Sequence, residues 1–169
     1  MRGARVLHPH EGARPERSSP AACHMKTLLY QQTNVTIWWD GDGWLHADWA
    51  GPQSANQIVD ASDQIFRLLL NRQANSLLSD YTRMESIPSR AAEWIAREWF
   101  PRLHPIGVQR FAWVRSPNGV GELAAQGLLK SAPTGTVHIF WTVGEAEAWL
   151  RWEASLARKR QSGRITLPP

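Results

Sequence analysis

Only one cysteine, Cys23, occurs in the 169 residues, and it stands near the N-terminus. Its isolation excludes an internal disulfide framework, a multi-thiolate metal site and a cysteine nucleophile in the body of the chain. Long apolar runs are missing too. The longest are a few residues, such as Leu68–Leu70, against the roughly 18 needed to span a bilayer. Residues 1–24 are mostly Arg, Pro, Ser, Gly and His and lack the apolar centre of a secretory signal. These absences predict a soluble cytoplasmic protein with no membrane association.

A basic face within the body of the chain is also absent. The net charge of +4 divides into +2 over residues 1–24, −2 over residues 25–153 and +4 over residues 154–169. A nucleic-acid-binding domain carries its Lys and Arg on a helix face or groove of the fold itself. Here the excess sits at the two ends, so nucleic acid is not expected as a partner.

No metal or catalytic spacing is present. Asp40, Asp42 and Asp48 do not make a calcium loop, which requires Asp or Asn where Trp44 stands. His46 and Asp48 share one strand face, while His104 and His138 fall in separate elements, and neither H-E-x-x-H nor G-x-S-x-G occurs. Gly119-Val-Gly121-Glu-Leu-Ala124 matches the G-x-G-x-x-A dinucleotide fingerprint, but no acidic residue ends the strand that follows. An ordinary loop is the expectation, with no catalytic residue, cofactor or metal.

What is there is a regular alternation of strand and helix signals. The composition of residues 1–24 is that of a disordered extension, and a domain is expected over residues 25–157, followed by a basic tail over 158–169. Strands are predicted at Thr27–Tyr30, Val35–Trp39 and Trp44–Trp49, the last two joined by Asp40-Gly-Asp-Gly43, whose Asp-Gly pairs suit a tight hairpin turn. Gly51-Pro52 marks a helix start, with Ala55, Ile58, Val59, Ser62, Ile65, Phe66, Leu69 and Leu70 inward. Ser76–Asp80 reads as a short buried strand. A second helix opens at Pro88-Ser89 and buries Ala92, Ile95, Ala96, Trp99 and Leu103, with Pro101 and Pro105 disturbing its last turn. Val108–Val114 is a strand, and Ser116-Pro117 caps a short helix with Val120, Leu123, Ala124 and Leu128 inward. Thr136–Trp141 is the last strand, and Thr142-Val-Gly-Glu145 is a capping box opening a helix that buries Ala146, Trp149, Leu150 and Leu156. The expected architecture is α/β: a single mixed sheet, antiparallel at its N-terminal meander and parallel later, flanked by about four helices.

This order resembles STAS-like domains of the SpoIIAA-like type and, more distantly, the lipid-binding CRAL-TRIO fold. Ser89-Arg-Ala-Ala-Glu-Trp-Ile-Ala-Arg-Glu-Trp-Phe-Pro-Arg-Leu103, with Gly107 and Phe111-Ala-Trp-Val-Arg-Ser-Pro117, is similar to a group of small bacterial STAS-like proteins. The resemblance covers residues 25–152. It implies a non-enzymatic module that binds a partner protein and, as in many of the family, is switched by phosphorylation of a serine opening the helix after a central strand; a homodimer through an exposed strand edge or the tryptophan-rich face is a further expectation. Ser86 and Ser89, beside Arg90, occupy that location, although the family's Asp-Ser-Ser-Gly reads here as Glu85-Ser86-Ile87-Pro88-Ser89. A serine at a helix start also serves simply as its cap.

Ten of the 169 residues are tryptophan. Most fall on core faces, where large aromatics dominate the energetics. Trp38 and Trp39 must point to opposite faces of their strand, and Trp94 and Trp99 lie at different angles on their helix. Trp38, Trp44, Trp94 and Trp152 are the candidates for an interface or for an aromatic-lined pocket. The alternative function that such a pocket implies is a carrier of a small apolar or lipid-like ligand.

Overall fold

A computed structural model describes residues 25–133 and 136–163, without the side chains of Leu123, Ala124, Leu128 and Ser131. The expected extension over residues 1–24 and the end of the expected tail lie outside the described residues. Six strands form one sheet in the order β1 (Lys26–Gln32), β2 (Val35–Asp40), β3 (Trp44–Pro52), β4 (Ser76–Ser86), β5 (Arg110–Val114) and β6 (Val137–Phe140). The pairs β1–β2 and β2–β3 are antiparallel and the rest parallel. The β2–β3 turn closes as its sequence suggests. Gly43 N–H donates to the Asp40 carbonyl at 2.9 Å, the Asp42 N–H donates to Asp40 Oδ1 at 3.0 Å, and Gly43 takes φ 105°.

Sequential strand order dictates where the helices go. Right-handed crossovers that all step the same way put their helices on one face. So α1 (Ala55–Arg72), α2 (Ser89–Trp94) and α3 (Glu122–Ser131) share a face with Leu45, Ala47, Trp49, Leu77, Phe111 and Trp113, and this face carries the main core. After β6, α4 (Val143–Gln161) folds back over the other face. There Ala146 and Leu150 cover Trp44, Leu78, Ala112 and Val114. No helix among the described residues is long and apolar enough to cross a membrane.

Aromatic rings fill the main core. Tyr81 stands edge-on to Trp113 (centroids 4.2 Å apart) and to Trp49 (6.0 Å), and Phe111 lies 5.4 Å from Phe100. The indole N–H groups of Trp49 and Trp99 donate to Ser79 Oγ at 3.0 Å and to the Ser62 carbonyl at 2.8 Å. Each ring is thereby buried without leaving a polar atom unsatisfied.

Several boundaries differ from the expectation. The first helix begins not at Pro52, which ends β3, but after Ser54, whose side chain and Gln57 form a capping box. Its buried stripe is Ile58, Ala61, Ser62, Ile65 and Leu69, leaving Ala55 and Leu70 exposed. The short strand at Ser76 runs on to Ser86. The helix from Ser89 keeps α-helical geometry only to Trp94, widens to a π-turn over Ile95–Trp99 and tightens to 3₁₀ turns at Phe100–Arg102 and His104–Ile106. Pro101 explains the change, since it has no N–H to donate and its ring would collide with the carbonyl four residues back. The third helix starts at Glu122 rather than next to Ser116-Pro117. The last one keeps its capping box at Thr142 and Glu145 and continues to Gln161, beyond the expected start of a tail.

Candidate functional site

The parallel strands β3–β6 lead from their carboxyl ends into the segments that enter the helices. At that end, between the β4–α2 junction and the loop entering α3, lies a cleft of about 300 Å³. Glu85, Ser86, Ile87 and Ser89 line one side and Gly119–Glu122 the other. The serine pair and the glycine-rich segment, unconnected in the sequence, thus converge on one place. Both serines are exposed. The N-cap of α2 is Pro88, which has no side-chain hydrogen bond to give. Neither serine therefore caps the helix, and Ser86 belongs to the strand end rather than to the helix start.

The opposite wall is held by a short relay. Arg115 bonds Glu122 at 2.7 Å and lies over the Trp141 ring, 4.3 Å from its centroid. Trp141 is 66% exposed, an accessible aromatic at the cleft's outer side that the pattern of apolar positions did not single out. The signal was its place at the end of a strand, next to the Thr142 cap, where the pleat no longer turns a side chain inward. Gly119 and Gly121 have φ 72° and 81°, and the sheet order never reverses among the described strands. Without a reversal there is no switch-point crevice for a dinucleotide, and the glycines serve the loop.

The other named residues scatter. Arg90 and Trp94 line a separate groove against Ala55, Asn56 and Val59 of α1. Trp38 is half-buried, on the face of β2 opposite the main core; Trp152 is exposed on α4; Trp44 is buried under α4.

A polar cluster that sequence reading missed lies on the α4 side of the sheet. Strand register puts Leu28, Trp38, His46, Leu78, Ala112 and His138 in one row and Gln31, Thr36, Asp48, Asp80, Val114 and Phe140 in the next. The helix α4 covers the β4–β6 half of this face, and His46 and Asp80 mark the edge of its cover. Lys26 Nζ lies 3.1 Å from His46 Nδ1 and bonds Glu147 of α4 at 2.9 Å. An ammonium only donates, so Nδ1 accepts and the ring proton sits on Nε2, 3.8 Å from Asp80 Oδ2. Asp48 pairs with Arg83. Burial alone would push the Asp80 carboxyl up. The His46 ring and the backbone and side chain of Thr82 outweigh it and hold the group below the usual carboxylate range. Among the described residues, no group of three His, Cys, Asp or Glu side chains could hold a metal ion.

The direction of that shift sets a pH dependence. A carboxyl whose folded pKa is depressed adds stability above its unfolded value, about 4, and loses it as pH falls through the folded value. Asp80→Asn is therefore expected to be less stable than wild type at pH 7, with the gap narrowing once pH falls below about 4. Urea unfolding at a series of pH values measures the gap; one that stayed constant across the acid range would refute the linkage.

Neither a scan against protein-family models nor a search of curated proteins returned a match to this chain.

Proposed function

We propose that this chain is a STAS-like regulatory module of the bacterial cytoplasm, which performs no catalysis and binds a partner protein, a second copy included, across the cleft between Ser86–Ser89 and Gly119–Glu122. The observation that carries this reading is the convergence of two exposed serines and a glycine loop at the carboxyl ends of β4 and β5. Both serines are accessible, and neither is used as a helix cap. A phosphate on either would add to the charge of Glu85 on the rim, Glu122 being already paired with Arg115, and so would change the charge of the surface a partner meets. Trp141 and the half-buried Trp94 flank the cleft and its neighbouring groove as rigid aromatic anchors of the kind that dominate interfaces.

Affinity capture with the purified chain, compared with Ser86→Asp and Ser89→Asp, tests the proposal. Both variants should keep the wild-type circular dichroism spectrum and lose the partner captured by wild type, by about tenfold or more. Equal capture by wild type and both variants would sink it.

A second reading has its own observation. A pocket of about 240 Å³ is walled by Phe100, Leu103 and Val108 with three prolines around it, room for a small apolar group. Its rings are those of Phe100 and His104 rather than the expected tryptophans. A carrier would emerge from purification with an additional mass bound, visible by native mass spectrometry.

A further inference from the structure

At the amino ends of β4 and β5, away from the serine cleft, lies another cleft of about 220 Å³, closed on its far side by the last turns of α4. Its deepest charged residue is Arg110, 8% exposed. A buried guanidinium needs partners that fix it. Nη1 donates to Asn75 Oδ1 at 3.1 Å and to Ser76 Oγ at 3.3 Å, and Nε stands 3.5 Å from Glu153 Oε2. The Ser76 hydroxyl in turn donates to Asn75 Oδ1 at 2.9 Å. The acceptors beside Arg110 are thus already engaged by donors. Asn75 has only its NH₂ left to offer, and Arg158 and Gln161 of α4 add further donors to the lining.

Trp44 supplies an independent observation. It lines the same cleft, is 1% exposed, and its Nε1–H is buried with no acceptor among the described residues, whereas the indoles of Trp49 and Trp99 each find one. Leaving such a donor unmet forfeits its hydration with nothing in return, which makes it an exception that calls for a partner. The acids nearby do not fill the role: Asp42 bonds Arg151 at 2.8 Å, and Glu153 faces Arg110 Nε. The carboxyl end of α4 disfavours an anion, but Arg158, Lys159 and Arg160 in its last turn offset that.

We propose that this cleft binds a small oxyanion, a phosphate or carboxylate group, held by the Arg110 and Arg158 guanidinium groups and the Trp44 Nε1–H. The Arg158 guanidinium can meet either group through paired N–H donors, Arg110 adds the hydrogens of its remaining Nη2, and an indole N–H adds a further directional donor. The volume admits such a group with a short substituent and excludes a nucleotide.

Proton–nitrogen correlation spectra of the whole chain read the site directly, since each indole N–H gives its own signal and Trp44→Phe identifies that of Trp44. Inorganic phosphate and acetate are titrated separately at constant ionic strength. Saturable movement of the Trp44 indole and Arg110 Nε–H signals is expected, and the tighter of the two titrations tells phosphate from carboxylate. Arg110→Lys should weaken binding about tenfold, since one ammonium cannot both keep the Asn75, Ser76 and Glu153 contacts and supply the donors of Nη2, and exposed Arg158→Gln, which does not threaten folding, about threefold. If neither anion moves the Trp44 signal saturably, or if Arg158→Gln titrates like wild type, the proposal is overturned.

Discussion

Trp113→Ala should lower the free energy of unfolding by about 4 kcal/mol, the range for deleting a large buried aromatic. Trp113 is 1% exposed on β5, a strand paired on both sides, and its ring touches the centre of the aromatic core. Tyr81 lies edge-on at 4.2 Å and Phe111 at 6.0 Å. Such contacts add about 0.5–1.5 kcal/mol beyond the area buried. The neighbours cannot collapse into the vacated space: Phe111 is fixed on the same strand, and Tyr81 is wedged between Trp113 and Trp49. Most of the cavity term should therefore persist. Domains of this size have only about 5–15 kcal/mol in total, so the variant will sit near the edge of stability. Trp113→Phe, which keeps an aromatic ring, should lose less than half as much. Urea denaturation followed by circular dichroism measures both. A cost under about 1 kcal/mol for the alanine variant would mean that Trp113 is not part of a packed core.

Those parts of the fold that rest on local chemistry could be read from the sequence. The Asp40–Gly43 turn needs only its own backbone and carboxylate bonds, and the capping box at Thr142 and Glu145 closes within four residues. The same local signal was present at Ser54 and Gln57 but was outweighed by Pro52, whose fixed φ suits a strand end as well as a helix start. The mixed sheet followed from the alternation of strand and helix segments. The length of β4 did not, because its second half pairs with β3 through irregular register between Asp48 and Ala50, and Tyr81 and Met84, both buried in the main core, stand three residues apart, which breaks the two-residue period of a strand. The π-turn was invisible for a related reason. A proline announces that a helix is disturbed, but not whether it ends or widens; close packing of Gly127 on Ala96, where an added Cβ would stand 2.7 Å from Ala96 Cβ, is a tertiary contact that no local sequence signal announces.

Sites follow the same division. Ser86 and Ser89 could be picked out because they sit at a junction between elements, but their meeting with Gly119–Glu122 depends on the adjacency of β4 and β5. His46 and Asp80 are 34 residues apart and come together only through parallel register, with Lys26 arriving from the edge strand. Their cluster ties β1, β3, β4 and α4 across the thinly covered face of the sheet. That placement suits a structural latch, since His46 is 6% exposed and reaches no solvent-filled cleft among those described.

Gly121 links the core to the proposed binding cleft, and Gly121→Ala should cost about 3 kcal/mol. Two effects add. The residue has φ 81°, a conformation that costs an L-residue about 1–2 kcal/mol. The new Cβ would also lie 2.9 Å from Tyr81 Cδ2 and Cε2 and 3.2 Å from Trp113 Cζ2, and overpacking of this kind costs about 1–3 kcal/mol. Neither ring is a flexible end that can swing away, because each is held by the other. The loop must lift instead, carrying Val120 and Glu122 and reshaping the wall opposite Ser86. Gly119→Ala separates the two effects. Gly119 has φ 72°, but nothing stands within 4 Å of its added Cβ, so only the backbone strain should appear, about 1 kcal/mol. Denaturation of the two variants gives the collision energy by difference, and capture of the partner that wild type retains gives its functional consequence. Gly121→Ala should lose partner binding under conditions where it is still folded, and Gly119→Ala should keep most of it. Equal destabilisation by the two substitutions would show that the loop does not rest on the Tyr81–Trp113 pair. Full partner binding by a folded Gly121→Ala variant would place the contact surface somewhere other than this cleft.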